Sequence, residues 1–199
     1  MNTQKRSPES VLDYWFGGDQ QLNYKTKWFP SVTAGEQQST DIEINSMFHS
    51  LFEDIIYKNK ENCGVQHEWV LSESSGNYRT HLAYILVLDQ FSRHIYRLQG
   101  LEKENENRQF ADQLAVQATE QLIQHNKFWW HHYSSTEIIF ALMPYRHSPT
   151  IARLEYISTI IDLKESRERE GLELMNKFRK QTITRLQRLQ DRQKVIYRS

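Results

Sequence analysis

Apolar residues recur along this chain at intervals of three and four, and almost nowhere in strict alternation. Ile44, Met47, Phe48, Leu51, Phe52, Ile55 and Ile56 make the clearest run, the spacing of a helix with one buried face. Ile151, Leu154, Ile157 and Ile161 make another. Ala111, Leu114, Ala115, Ala118 and Leu122 form a narrower stripe rich in small residues, suited to close helix contact. From Tyr78 to Leu98 the pattern is at first apolar nearly all round, as expected of a central helix covered by neighbours. No Asn-Gly hairpin signal and no self-similar period are found. The expected fold is all-α: one domain built as an antiparallel array of about seven or eight helices.

The rare helix-breaking residues fit that frame. There are 7 Gly and 4 Pro, and the prolines can all be placed at helix boundaries. Ser7-Pro8 and Ser148-Pro149 each read as an N-cap followed by the first helical position. Gly17-Gly18 reads as a helix stop, and Pro30 and Pro144 each close an apolar segment. Thr40 or Asp41 can cap the helix that carries Ile44, and Ser134 with Glu137 forms a capping box before Ile138–Met143. The expected organisation is a polar tail (1–7), a helical domain (8–172) and a basic C-terminal helix (173–199). The stretch Cys63 to Asn77, which contains Trp69, is the best candidate for a functional loop.

Composition narrows the function classes. In 199 residues, 25 Lys+Arg balance 25 Asp+Glu, so no global field steers the chain to nucleic acid or membrane. The N-terminal residues Met1 to Glu9 are polar with no secretory pattern, and the longest apolar stretch, Leu82 to Leu88, is too short to span a bilayer. The single cysteine, Cys63, fits a reducing compartment. A soluble, cytoplasmic protein without a membrane partner is expected. The charge is unevenly spread, however. From Leu174 to Ser199 the basic residues Lys177, Arg179, Lys180, Arg185, Arg188, Arg192, Lys194 and Arg198 face one acid, Asp191.

The segment Leu86 to Arg97 resists a packing explanation. On a helix, Asp89, Arg93 and Arg97 fall on one face at successive four-residue steps, amid core residues. An acid and two guanidiniums placed there must be paired or must face a cavity or the surface. Either an internal bridge locks the helix to its neighbours, or the two forks receive a carboxylate or phosphate. The run Val87-Leu88-Asp89-Gln90-Phe91-Ser92-Arg93-His94-Ile95-Tyr96-Arg97 resembles the signature of the domain-of-unknown-function 924 family, found mainly in bacteria. Other family-like features follow the same order: Tyr14-Trp15-Phe16, Trp28-Phe29, Trp69, Asp112, Met143-Pro144 and His147-Ser148. The resemblance covers Val11 to about Ile161. It implies a helical fold like that of tetratricopeptide repeats, and it implies no activity. Members usually carry a Gly-Arg-Phe-Pro-His-Arg-Asn type run near the C-terminus, whereas the corresponding Met175–Arg188 here has no Gly, Pro or His.

Three functional readings remain open. The first is a non-enzymatic binding or scaffold domain recognising a peptide or acidic small ligand. Its ligand-binding candidates are Asp89, Gln90, Arg93, Arg97, Trp69, Arg146 and His147. Tyr145-Arg146-His147-Ser148 is expected between two helices, beside a helix N-terminus that attracts anions. The second is an enzyme using Asp89 with His147 or His94 as an acid–base pair, and the third is nucleic-acid binding through Lys177 to Arg198. Trp15, Trp28 and Trp69 either line a groove or sit in the core. Phe128-Trp129-Trp130-His131-His132-Tyr133 reads as a loop packing its aromatics inward, since adjacent histidines cannot easily chelate one metal. No Gly-rich phosphate loop, nucleophile elbow or zinc-protease motif is present, so no catalytic residue, metal or cofactor is expected.

Overall fold

Ser7 and Pro8 begin the first helix as the sequence predicts, the Ser7 hydroxyl accepting from the Ser10 amide at 3.3 Å. The computed structural model describes residues 7–28, 34–61, 69, 77–100, 105–165 and 172–196. Among these all regular structure is helical. The chain divides into two compact units, residues 1–122 and 123–199.

The first unit contains α1 (Pro8–Phe16), α2 (Gln20–Asn23), α3 (Ala34–Lys60), α4 (Tyr78–Leu86), α5 (Ser92–Leu98) and α6 (Glu106–His125), whose last turn crosses the boundary. Gly17 ends α1. A Cβ there would stand 2.3 Å from the Asp13 carbonyl oxygen, so the stop tolerates no side chain. A π-helical turn, Tyr24–Trp28, prolongs α2, and another, Val87–Phe91, joins α4 to α5 into one continuous helix. That central helix is buried on nearly every side from Thr80 to Ser92, as its all-round apolar pattern predicts. It packs against α1 and α3. Phe91 is the hinge of the aromatic core, with ring centroids 4.7 Å from Phe48, 5.5 Å from Trp15 and 5.9 Å from Tyr14. Trp15, Trp28 and Trp69 are all buried, and Trp28 Nε1 donates to the Trp15 carbonyl at 3.0 Å. They are core tryptophans.

The second unit contains a 3-10 turn (Trp129–His132), α7 (Ser135–His147), α8 (Ile151–Glu165) and α9 (Leu172–Ile196). Each of the three α-helices packs against the other two. Trp129, Trp130 and Tyr133 are buried and pack inward, whereas Phe128 at the start of the run is exposed. The predicted capping box is formed: the Ser134 hydroxyl accepts from the Glu137 amide and Glu137 accepts from the Ser134 amide. α9 is amphipathic, with Met175, Phe178 and Thr182 buried.

Four sequence expectations are corrected. α3 begins at Ala34, so Thr40 and Asp41 cap nothing; both are buried well inside the helix. Pro144 does not end α7, which runs on to His147. Burial of Pro144 and Tyr145, and an end one turn later where the Ser148 amide reaches the Pro144 carbonyl, offset the one lost helix bond. Tyr145-Arg146-His147 is consequently the last turn of a helix rather than a connector. Finally, Ser148 terminates α7 and does not cap α8; Thr150 does, its hydroxyl accepting from the Arg153 amide at 3.2 Å. The stretch singled out between Cys63 and Asn77 lies outside the described residues except for Trp69 and Asn77, as do Phe29 and Pro30.

Candidate functional site

The polar strip of the central helix belongs to the first unit, and it divides between two sets of partners. Asp89 is 1% exposed; it accepts from Gln90 Nε2 at 2.5 Å and from Arg93 Nη2 at 3.3 Å. The same Arg93 nitrogen donates at 2.8 Å to Asp112 on α6. Asp112 Oδ2 lies 2.6 Å from Arg108 Nη1, although neither that nitrogen nor Arg108 Nε makes a well-directed hydrogen bond. We read that approach as a Coulombic pair. Acid and guanidinium thus alternate along Asp89, Arg93, Asp112 and Arg108.

The second set is centred on Asp41. Its Oδ1 accepts from His94 Nδ1 at 2.6 Å and from Arg97 Nη1 at 2.9 Å. Against a carboxylate oxygen that already accepts from Arg97, the His94 ring donates from Nδ1. Asp41 occupies the buried face of α3, where it extends the stripe Ile44, Phe48, Phe52 and Ile55 back by one turn. An acid there requires a cation, and the last turn of α5 supplies it.

Three aspartates therefore answer three arginines inside the unit. Of the residues singled out from the sequence, the structure brings Asp89, Gln90 and Arg93 together and places Arg97 on Asp41. Arg93 and Arg97 keep 20% and 28% of their side chains exposed. The Asp–Arg bridge within the signature was legible; Asp112 and Asp41 as its partners were not. Their distance along the chain hides the pairing, but an acid continuing an apolar stripe was a usable signal at Asp41.

Arg146 and His147 close α7 in the second unit, both half-buried. Arg146 differs from the guanidiniums of the first unit. Its guanidinium stacks on the Phe178 ring at 5.3 Å, and among the described residues no carboxylate pairs with it. Burial first, and the nearby positive charge of Arg185 second, push its pKa down. It faces an open groove of about 770 Å³. Pro149 lies beside it. Lys180, Arg185, Arg188 and Arg192 of α9 also line it, together with Gln181, Thr184 and Leu189. His147 is not part of this lining. Four acids of this unit are paired with other cations: Asp162 and Glu165 with Arg179, Glu173 with Lys177, Asp191 with Lys194. Among its described lining residues the groove holds five cations and no acid.

Among the described residues no group of three or more His, Cys, Asp or Glu side chains is arranged to hold a metal ion, and no helix is long and apolar enough to cross a membrane. An all-helical chain whose central helix carries buried Asp89-Gln90-Phe91 followed by Arg93 and Arg97 defines a class by its architecture rather than by a reaction. The sequence matches, over residues 11–199, the family described as bacterial protein of unknown function, DUF924, and the chain belongs to that family. The match runs through α9, well beyond Ile161. Neither curated proteins nor solved structures gave a match.

Proposed function

We propose that this protein is a non-enzymatic binding domain for an acidic ligand, and that the basic groove of the second unit receives it. One observation carries the reading: Arg146 is half-buried beside Arg185, and among the described residues no carboxylate neutralises it. A guanidinium loses hydration on burial, and a like charge nearby adds to the cost, so the unliganded groove is electrostatically unfavourable. An incoming anion removes that penalty. The lining supports a small acidic ligand over a peptide, because among its described residues only Pro149 and Leu189 offer apolar side chains for anchoring. Arg93 and Arg97 belong, in this reading, to the pairing that ties α5 to α6 and α3. Asp89, to which Gln90 donates, and Asp112 hold Arg93 in place.

The test is thermal unfolding in sulfate, phosphate and dicarboxylates at ionic strength matched with chloride. A ligand bound only by the folded state raises the melting temperature. The proposal expects a rise for the natural chain and none for Arg146→Met. If no anion exceeds chloride, the binding reading is wrong.

A further inference from the structure

We infer that the occupant of this groove is an oligophosphate, a chain of two or more linked phosphate groups; this rests on the acidic-ligand reading above and names its chemistry. The first argument is charge. Arg146, Lys180, Arg185, Arg188 and Arg192 converge on one groove without an acid among the lining residues, and a single carboxylate leaves most of that repulsion standing. A short phosphate chain concentrates several negative charges in a small volume, as each terminal phosphate carries close to two at neutral pH. The second argument is direction. Arg185, Arg188 and Arg192 recur at three- and four-residue steps, so they share one face of α9 at roughly 5 Å intervals, while Arg146 approaches from α7. A planar carboxylate offers two oxygens in one plane. Tetrahedral phosphates offer oxygens in several directions to donors from both helices, and consecutive phosphates match a row of cations. The third argument is what the groove lacks. With two apolar side chains among its described lining residues it has little grip on a carbon skeleton, so recognition falls on the charged chain itself.

Titration calorimetry of the full chain at matched ionic strength tests this with tripolyphosphate, pyrophosphate, inorganic phosphate, citrate and ATP. Affinity is expected to rise from phosphate to pyrophosphate to tripolyphosphate, with citrate at least about tenfold weaker than tripolyphosphate. Citrate binding as tightly as tripolyphosphate overturns the oligophosphate assignment and leaves the acidic-ligand reading intact. Absence of binding by every anion overturns both. ATP comparable with tripolyphosphate identifies a nucleotide's phosphate chain as a sufficient source, and ATP much weaker points to the free chain; either supports the inference. ATP binding without tripolyphosphate binding contradicts it, since recognition then lies in the nucleoside. Arg185 and Arg188 are exposed, so Arg185→Gln and Arg188→Gln leave the fold intact. Each is expected to weaken tripolyphosphate on the order of tenfold, as loss of a charge-assisted hydrogen bond does. Unchanged affinity in both variants also overturns the assignment.

Discussion

Asp41 shows how one side chain can carry a tertiary link that local pattern conceals. Its carboxylate, 3% exposed, takes both His94 and Arg97. Asp41→Asn keeps the shape and removes the charge, and it should cost about 2 kcal/mol in urea unfolding, the scale for stranding a charged hydrogen-bond partner. Arg97→Met added to that variant should cost little more, because the two residues act as one unit. Arg146 behaves in the opposite way. Arg146→Met loses the stacking on Phe178 but also loses an unneutralised charge, so stability should stay within about 1 kcal/mol of the natural chain. The signature acid and arginine were readable because four-residue spacing on a helix brings side chains together. The Asp41 and Asp112 links were not, since a single sequence carries no record of which distant helix answers a charge. Thr40-Asp41 also imitates a cap, and only the earlier start of α3 at Ala34 removes that reading.

Among the elements, caps and breakers were legible at some helix ends and misleading at others, as Thr40-Asp41, Pro144 and Ser148-Pro149 show. Ser7-Pro8, Gly17 and the Ser134/Glu137 box all act where the sequence puts them, because capping is satisfied within four residues of chain. Ser134→Ala should destabilise the second unit by about 1 kcal/mol, measured by urea unfolding. Pro144 misled for a physical reason: a proline removes one helix bond, and tertiary burial can outweigh that loss. The π turn at Val87–Phe91 was not legible, since one extra residue per turn leaves the apolar pattern intact on a helix buried all round. It falls on the family signature and sets Phe91 among Tyr14, Trp15 and Phe48. Phe91→Ala should therefore cost about 3–5 kcal/mol, the range for truncating a fully buried aromatic.

Across the whole chain, charge neutrality hides a partition: Asp41, Asp89 and Asp112 answer Arg93, Arg97 and Arg108 within the first unit, while the second carries a groove whose described charged lining residues are all cations. The excess of basic residues after Leu174 was visible in the sequence, but its convergence with Arg146 depends on how α7 packs against α9. Buried tyrosines give a separate global signature. Burial raises the pKa of Tyr14, Tyr84, Tyr96 and Tyr156, with Tyr84 pushed up to about 12. Their protons leave the unfolded chain near the ordinary value of about 10 and the folded chain later, so the unfolded state binds fewer protons above that pH. Stability should be intact at neutral pH and fall as pH rises from about 10 towards 12, read by urea unfolding across that window. The most direct test of the division of labour compares Arg93→Met with Arg146→Met in urea, with and without tripolyphosphate. Arg93→Met should lose about 3 kcal/mol by stranding buried Asp89, and tripolyphosphate should still stabilise it as much as the natural chain. Arg146→Met should unfold near the natural midpoint and gain nothing from tripolyphosphate; the reverse pattern, with the gain lost in Arg93→Met and kept in Arg146→Met, contradicts the account.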